Sequence, residues 1–321
     1  MADISRADAL ALIREQNGSE IWQAVPEFSA ALRTFRRVNL GTKIANYPII
    51  GALPNAAFVA GEDADDATSA KPTTAMTWTS RDLVAEEIAG IVVIPENVID
   101  DASSDFDLWA EIRPRIAEAV GATLDAAVFF GTNAPSSWPD GLVPAAIAAG
   151  NTVTEGTSVP EGASAANDLA EDINATIGAV EADGYDPTAI YARRTLRQRV
   201  RGLRDTNNSP IYTTSVSETG RNVPAIYGVD TEYVTNGAWD SDVATLLVGD
   251  PRFAILGIRQ DLTFKLLDQA AVTIGSDLVS LAEHDLIGLR FKIRVGFQTA
   301  QTLTKDGGAS AYPFAVLVPG S

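Results

Sequence analysis

Apolar residues at Phe106, Trp109, Ile112, Ile116, Val120, Leu124 and Val128 are separated by steps of three and four. That spacing lays them in one stripe along a helix. The helix is expected over about residues 104–130, long against a mean of about 11–12 residues in globular domains. Ser103 or Ser104 is placed to cap its start by accepting a bond from an unpaired amide of the first turn, and Asp105 and Asp107 put negative charge at the positive helix end. Pro114 lies inside the stripe. Its ring removes one backbone hydrogen bond, so a bend is expected near Arg113–Pro114. Gly131, tolerant of left-handed backbone, ends the helix, and the Pro139-Asp140-Gly141 turn follows.

Around this helix the pattern changes period. Residues 1–47 carry scattered apolar positions (Ile4, Leu10, Ile13, then Trp22, Phe28, Leu32, Phe35) and read as an extended arm with helical pieces, closed by the basic group Arg33, Arg36, Arg37 and Lys43. Residues 48–94 read as a long β-hairpin, strand-like from Tyr47 to Ile50 and at 57–59, and again from Met76 to Ile94. Its middle, Glu62-Asp63-Ala64-Asp65-Asp66, is acidic and turn-rich. Two strands alone are marginal in water, so the hairpin needs a neighbour. Residues 95–164 hold the long helix and a Pro/Gly/Ala loop zone. In 165–258, a helix from Asn167 with Leu169, Ile173, Ile177 and Val180 on one face is followed by a buried strand at 189–192, an arginine-rich helix at 193–204 and short strands at 226–229, 233–234, 245–248 and 253–258. Strands return at 264–267 and 286–297 within 259–308, and a last one at 314–318 within 309–321. The order is mixed α+β, with discontinuous domains.

Composition narrows the chemistry. The 321 residues include 24 basic and 42 acidic side chains, a net charge of −18, and no cysteine. Disulfides, thiolate metal sites and cysteine nucleophiles are therefore excluded. The charge sign is opposite to that of a general nucleic-acid binder. It fits either plain solubility or the inner wall of a container in which DNA must slide. No run of about 18 apolar residues is present, which argues against a membrane span. His284 is the single histidine, and without spaced partners it defines no catalytic or metal site. The acidic run lacks the Gly and terminal Glu of a calcium loop, and no phosphate-cradling glycine motif occurs. Asp100-Asp101, just ahead of a helix, is a capping arrangement first. No catalytic residue, cofactor site or metal site is expected. The strongest basic feature is Arg193, Arg194, Arg197, Arg199, Arg201 and Arg204. Two readings of it stay open: a solvated or internally ion-paired helix, and a contact with a neighbouring copy. In the second, Glu62, Asp63, Asp65 and Asp66 of one copy meet Arg193, Arg194 and Arg197, or Arg33, Arg36 and Arg37, of another.

The order of motifs resembles the major capsid proteins of tailed double-stranded-DNA phages, the HK-phage-type shell fold. The resemblance rests on Ile94-Pro95-Glu96-Asn97-Val98-Ile99-Asp100-Asp101, on Phe106-Asp107-Leu108-Trp109 opening the spine helix, and on Phe129-Phe130-Gly131-Thr132 with Pro139-Asp140-Gly141-Leu142. It continues through Tyr185-Asp186-Pro187, Leu203-Arg204-Asp205 and Ser209-Pro210-Ile211-Tyr212 to Val248-Gly249-Asp250 and Leu286-Ile287-Gly288-Leu289-Arg290. It implies an N-terminal arm (1–47), an extended hairpin or E-loop (48–94), a peripheral domain with the spine helix (95–164, rejoined by 259–308) and an axial domain (165–258, completed by 309–321). It further implies self-assembly into pentamers and hexamers of an icosahedral or prolate head around double-stranded DNA, held without sequence-specific binding, with a portal and with scaffold or decoration proteins as partners. Scaffolding would come from a separate protein or from a segment since cleaved off. The product belongs to the virion and is assembled in the host cytoplasm. In such proteins maturation bends the spine helix, for which Pro114 is the natural point, and some relatives crosslink a hairpin lysine, for which Lys71 is the candidate. An encapsulin-like cellular compartment shares the fold and is the alternative reading. A hydrolase, the rival from another class, would need an acid/base pair in a pocket.

Overall fold

The computed structural model describes residues 28–52, 54, 56, 58–59, 73–74, 76–98, 108–159, 169–203, 225–274, 276–300, 304 and 311–320. Its N-terminal part holds a short helix α1 (Ala30–Thr34), strand β1 (Arg36–Asn39) and the antiparallel pair β2 (Ile44–Ala52) and β3 (Thr77–Pro95). The spine helix is α2 (Leu108–Phe130), followed by α3 (Leu142–Ala149) and β4 (Thr152–Thr154). Next come α4 (Leu169–Ala182), β5 (Ala189–Arg193), α5 (Leu196–Arg201), β6 (Ala225–Ile226), β7 (Val229–Val234) and β8 (Leu246–Gly249). The chain ends with the long β9 (Ala254–Leu267), a small hairpin β10 (Ala271–Ile274) and β11 (Asp277–Ser280), β12 (Leu286–Thr299) and β13 (Phe314–Val318).

The strands form two main sheets. Five make the order β1-β9-β12-β3-β2, and six make β4-β13-β8-β5-β7-β6. One core is shared between them. Ile116, Val120, Leu124 and Val128 of α2 and Leu142, Val143 and Ala146 of α3 pack with Ile293, Val295 and Phe297 of the first sheet and Tyr191, Leu247, Phe314 and Val316 of the second. The apolar stripe read along the spine helix is thus its buried face from Ile116 onward. An aromatic knot joins the layers: Phe129 stacks at 5.7 Å on Phe35, 5.2 Å on Tyr191 and 5.7 Å on Trp239. A second core lies on the opposite face of the six-stranded sheet. There Ile173, Ile177 and Val180 of α4 and Leu196 and Val200 of α5 cover Ile190, Ala192, Leu246 and Val248. Burial on both faces is why β5, β8 and β13 read as continuous apolar runs.

Several elements differ from the reading of the sequence. The strand read at 226–229 is a turn at Tyr227–Gly228 between β6 and β7, Arg193 ends β5 rather than opening the arginine-rich helix, and β4 and the β10–β11 hairpin went unread. Residues 142–149, read as loop, are helical; Pro144 falls in the first turn, where a missing N–H is no loss, and Gly150 closes the helix at φ 88°. The arm ends in a true strand, because Arg36–Asn39 pairs in parallel with Ile255–Ile258. Its polar sequence hides it. The strands read separately at 253–258 and 264–267 are one strand, β9, in which a register shift around Arg259–Asp261 absorbs the polar break. The boundary drawn at 258–259 therefore falls inside β9, and β4, from within 95–164, pairs with β13 in the six-stranded sheet.

Glycine sets one junction. Gly131 adopts φ 71° at the end of α2, and a Cβ on Gly141 would sit 2.4 Å from the Gly131 nitrogen. Only two glycines allow the spine helix and α3 to meet this closely.

Candidate intersubunit surfaces

The first candidate surface is the β2–β3 ribbon. β12 pairs with β3 only over Ala85–Pro95, whereas β2 pairs with it over Thr77–Val84. The leading part of β3 is therefore a two-stranded extension overhanging the five-stranded sheet. Large apolar side chains stand in solvent on it: Trp78 is 63% and Ile44 53% exposed, and beyond it Phe58 is fully exposed. Only its base is packed, where Leu83 and Ala85 are buried with Leu40 and Ile255; two strands beyond that base are marginal in water. Glu62, Asp63, Asp65, Asp66 and Lys71 lie outside the described residues, as do the capping residues Ser103 and Ser104 and the pair Asp100-Asp101.

The second is α5. Leu196 and Val200 face the core, while Arg193, Arg194, Arg197, Arg199 and Arg201 are exposed. Arg199 forms an ion pair with Glu155, whose carboxylate also accepts from the Thr245 hydroxyl at 3.1 Å. Arg193 Nη1 reaches the Ser241 hydroxyl at 3.5 Å. The cluster is thus ion-paired within the chain at Arg199, Arg201 Nε donates to the Arg197 carbonyl at 3.2 Å, and the arginine side chains stay exposed. Arg204 lies outside the described residues.

The third is the root of the arm. Asp125 of α2, fully buried, accepts four hydrogen bonds: from Ser29 Oγ at 2.7 Å, Ala30 N at 2.9 Å, Ala31 N at 3.1 Å and Asn236 Nδ2 at 2.7 Å. Its carboxylate caps α1, alongside Ser29, which accepts from Leu32 N. Burial pushes the Asp125 carboxyl above the ordinary carboxylate range, and the four donors pull it partway back. Arg33, also in α1, pairs with Glu232 of β7, and Thr34 accepts from the Tyr191 hydroxyl at 2.8 Å. Desolvation raises the pKa of that phenol. Arg36 and Arg37 stand exposed on β1. Sequence reasoning missed this anchor. Its one signal was an acid, Asp125, next to Leu124 on the apolar side of an otherwise regular stripe.

Pro114 is exposed, and α2 continues across it. His284 sits in the turn between β11 and β12, with Nδ1 3.0 Å from the Ser280 carbonyl oxygen. Among the described residues no group of three or more His, Cys, Asp or Glu side chains is arranged to hold a metal ion, and no helix is long and apolar enough to cross a membrane.

The class of fold is thus two sheets sharing one core along a long helix, with an overhanging two-stranded ribbon. Solved structures show the same architecture. A chain from Microbacterium phage Oxtober96 is 44% identical, with a TM-score of 0.79 over 99% of this chain and 100% of that one. One from Mycobacterium phage Bobi is 39% identical, with a TM-score of 0.77 over 100% of both. At 16% identity, a structure described as the capsid of a native GTA particle still shares the fold, with a TM-score of 0.62 over 94% of this chain and 91% of that one. No curated protein matches the chain. The profile of the phage capsid family matches residues 10–302. The chain belongs to the phage capsid family: it is a structural protein of the virion capsid.

Proposed function

We propose that the protein is the repeating tile of a phage head, closing as pentamers and hexamers into an icosahedral or prolate shell around double-stranded DNA. The supporting observation is the overhanging ribbon, on which Ile44 and Trp78 stay more than half exposed among the described residues. The ribbon lies over one neighbour, and the arm, rooted at Asp125, reaches another. Contacts of this kind are heterologous, and they close because successive copies are related by rotation. The outward cations Arg193, Arg194 and Arg197, with Arg36 and Arg37, are placed to set register between copies. Residues 95–164 with 259–308 act as the peripheral domain, and 165–258 with 309–321 as the axial domain. Pro114 is the point at which the spine helix bends. The acidic surface lets DNA slide within the head without sequence-specific contacts. A portal and scaffold or decoration proteins are its further partners, and assembly takes place in the host cytoplasm.

Electron microscopy and size exclusion of the expressed protein test this. Closed shells or ring-shaped capsomers are expected. A monodisperse monomer at every concentration, with or without scaffold, would remove the reading.

A further inference from the structure

The five-stranded sheet has one face on the spine helix; its other face is covered at the Ile255–Gly257 end by Leu40 and Leu83 and over Gly288 by Leu281, and is free only between them, where Thr263 and Lys265 are exposed. On the free face, successive cross-strand rows bring together Lys265 with Arg290, Thr263 with Lys292, and Gln260 with Arg294. On the other side of β12 these positions meet Ile91, Ala89 and Glu87 of β3. Directly paired side chains lie about 4.5–5.5 Å apart in such a ladder, so four cations form one patch. Their acidic neighbours are few. Glu87 approaches Lys292 at 3.9 Å, and Asp261 is exposed where the β9 register shifts. Lys265, Arg290 and Arg294 have no ion pair among the described residues. Two donors are also left without acceptors, Arg294 Nε and Arg259 Nε. In a chain with net charge −18, this is a local reversal of sign.

We propose that this face of the sheet is the seat for the acidic segment Glu62–Asp66 of a second copy. The inference rests on the shell reading and assigns one of its contacts. The complement is on the page: the patch gathers four cations, and Glu62-Asp63-Ala64-Asp65-Asp66 gathers four carboxylates. The other basic groups are partly satisfied within the chain, Arg33 by Glu232 and Arg199 by Glu155. Chain direction points to a second copy. Residues 53–76 leave from Ala52 and Thr77, the end of β3 away from the patch, and Thr77 precedes Glu87 by roughly 33 Å of strand at about 3.3 Å per residue. The copy's own acidic segment therefore departs from the opposite end of the sheet.

The test is a charge exchange. K265E/R290E reverses the seat at its two open positions, D63K/D65K/D66K reverses the segment, and a third variant carries both sets. Each single set should lower the yield of sedimenting shells at least about tenfold, with circular dichroism and melting unchanged, since facing like charges oppose association. The combined variant should recover to within about twofold of wild type, a coupling that mere loss of folding cannot produce. The neutral pair K265Q/R290Q guards against misfolding, and should assemble weakly and lose salt dependence. Wild-type shells with an undiminished K265E/R290E variant, or a combined variant no better than either set alone, would overturn the seat and leave the shell reading standing. Failure of the wild type itself to form shells would instead remove the shell reading.

Discussion

Asp125 shows how a single side chain organises this molecule. A carboxylate with no solvent exposure is held by four donors drawn from the arm, α1 and the turn at Asn236. Asp125→Ala strands those donors, and unsatisfied buried groups cost about 1–3 kcal/mol each before relaxation. A net loss of roughly 3 kcal/mol is expected in denaturant unfolding of the unassembled chain, with new protease cuts ahead of Ala30. The pH dependence has a definite sign. Because the folded pKa lies above the unfolded one, the group's contribution is fully present below the unfolded value of about 3.9 and is lost as pH rises through the folded value. The stability gap between wild type and Asp125→Asn should therefore narrow as pH increases across that window, and a gap that widens would contradict the assignment. Gly141→Ala acts through packing alone. Its Cβ would stand 2.4 Å from Gly131 N and 2.7 Å from Phe130 C, both backbone atoms that cannot swing aside. Overpacking of about 1–3 kcal/mol is expected, seen as a lowered melting temperature.

Among the elements, the spine helix was legible because its stripe persists over many turns, and α4 because Leu169, Ile173, Ile177 and Val180 repeat at the same period. Elements that break a rule locally were hidden. β1 is polar because it is an edge strand, β9 contains Arg259-Gln260-Asp261 at a register shift, and α3 carries Pro144 where a proline does no harm. The anchor at Asp125 was hidden for another reason. Its partners Ser29 and Asn236 are 96 and 111 positions away, and no local pattern encodes such a meeting. Pro114 carries the prediction for this scale. A helix interior disfavours proline by about 3 kcal/mol against alanine, so Pro114→Ala should raise the melting temperature of the unassembled chain. If the proline serves curvature, the same variant should give fewer closed shells by electron microscopy. A lowered melting temperature would contradict the helical geometry across this position.

For the whole molecule, the sequence disclosed the kind of object through the order of its parts, arm, hairpin, spine helix, α/β block and returning strands, rather than through any reactive group. Deleting residues 53–76 and closing the ribbon with a short turn should leave both cores intact, since Ile116–Phe129, Ile173–Val180 and the paired strands lie outside the excision. Size exclusion should then show folded monomer where the full chain forms large particles. Retained shells would show that the ribbon is dispensable.

The aromatic knot around Phe129 has a mechanical consequence. It rivets the trailing end of the spine helix to Phe35, Tyr191 and Trp239 at once, whereas Pro114 near the leading end stands in solvent. The helix is built as a cantilever. In the proposed pentamers and hexamers, copies should superpose at the riveted end and fan apart toward Leu108, one rigid joint and one compliant tip adapting a single polypeptide to different curvatures.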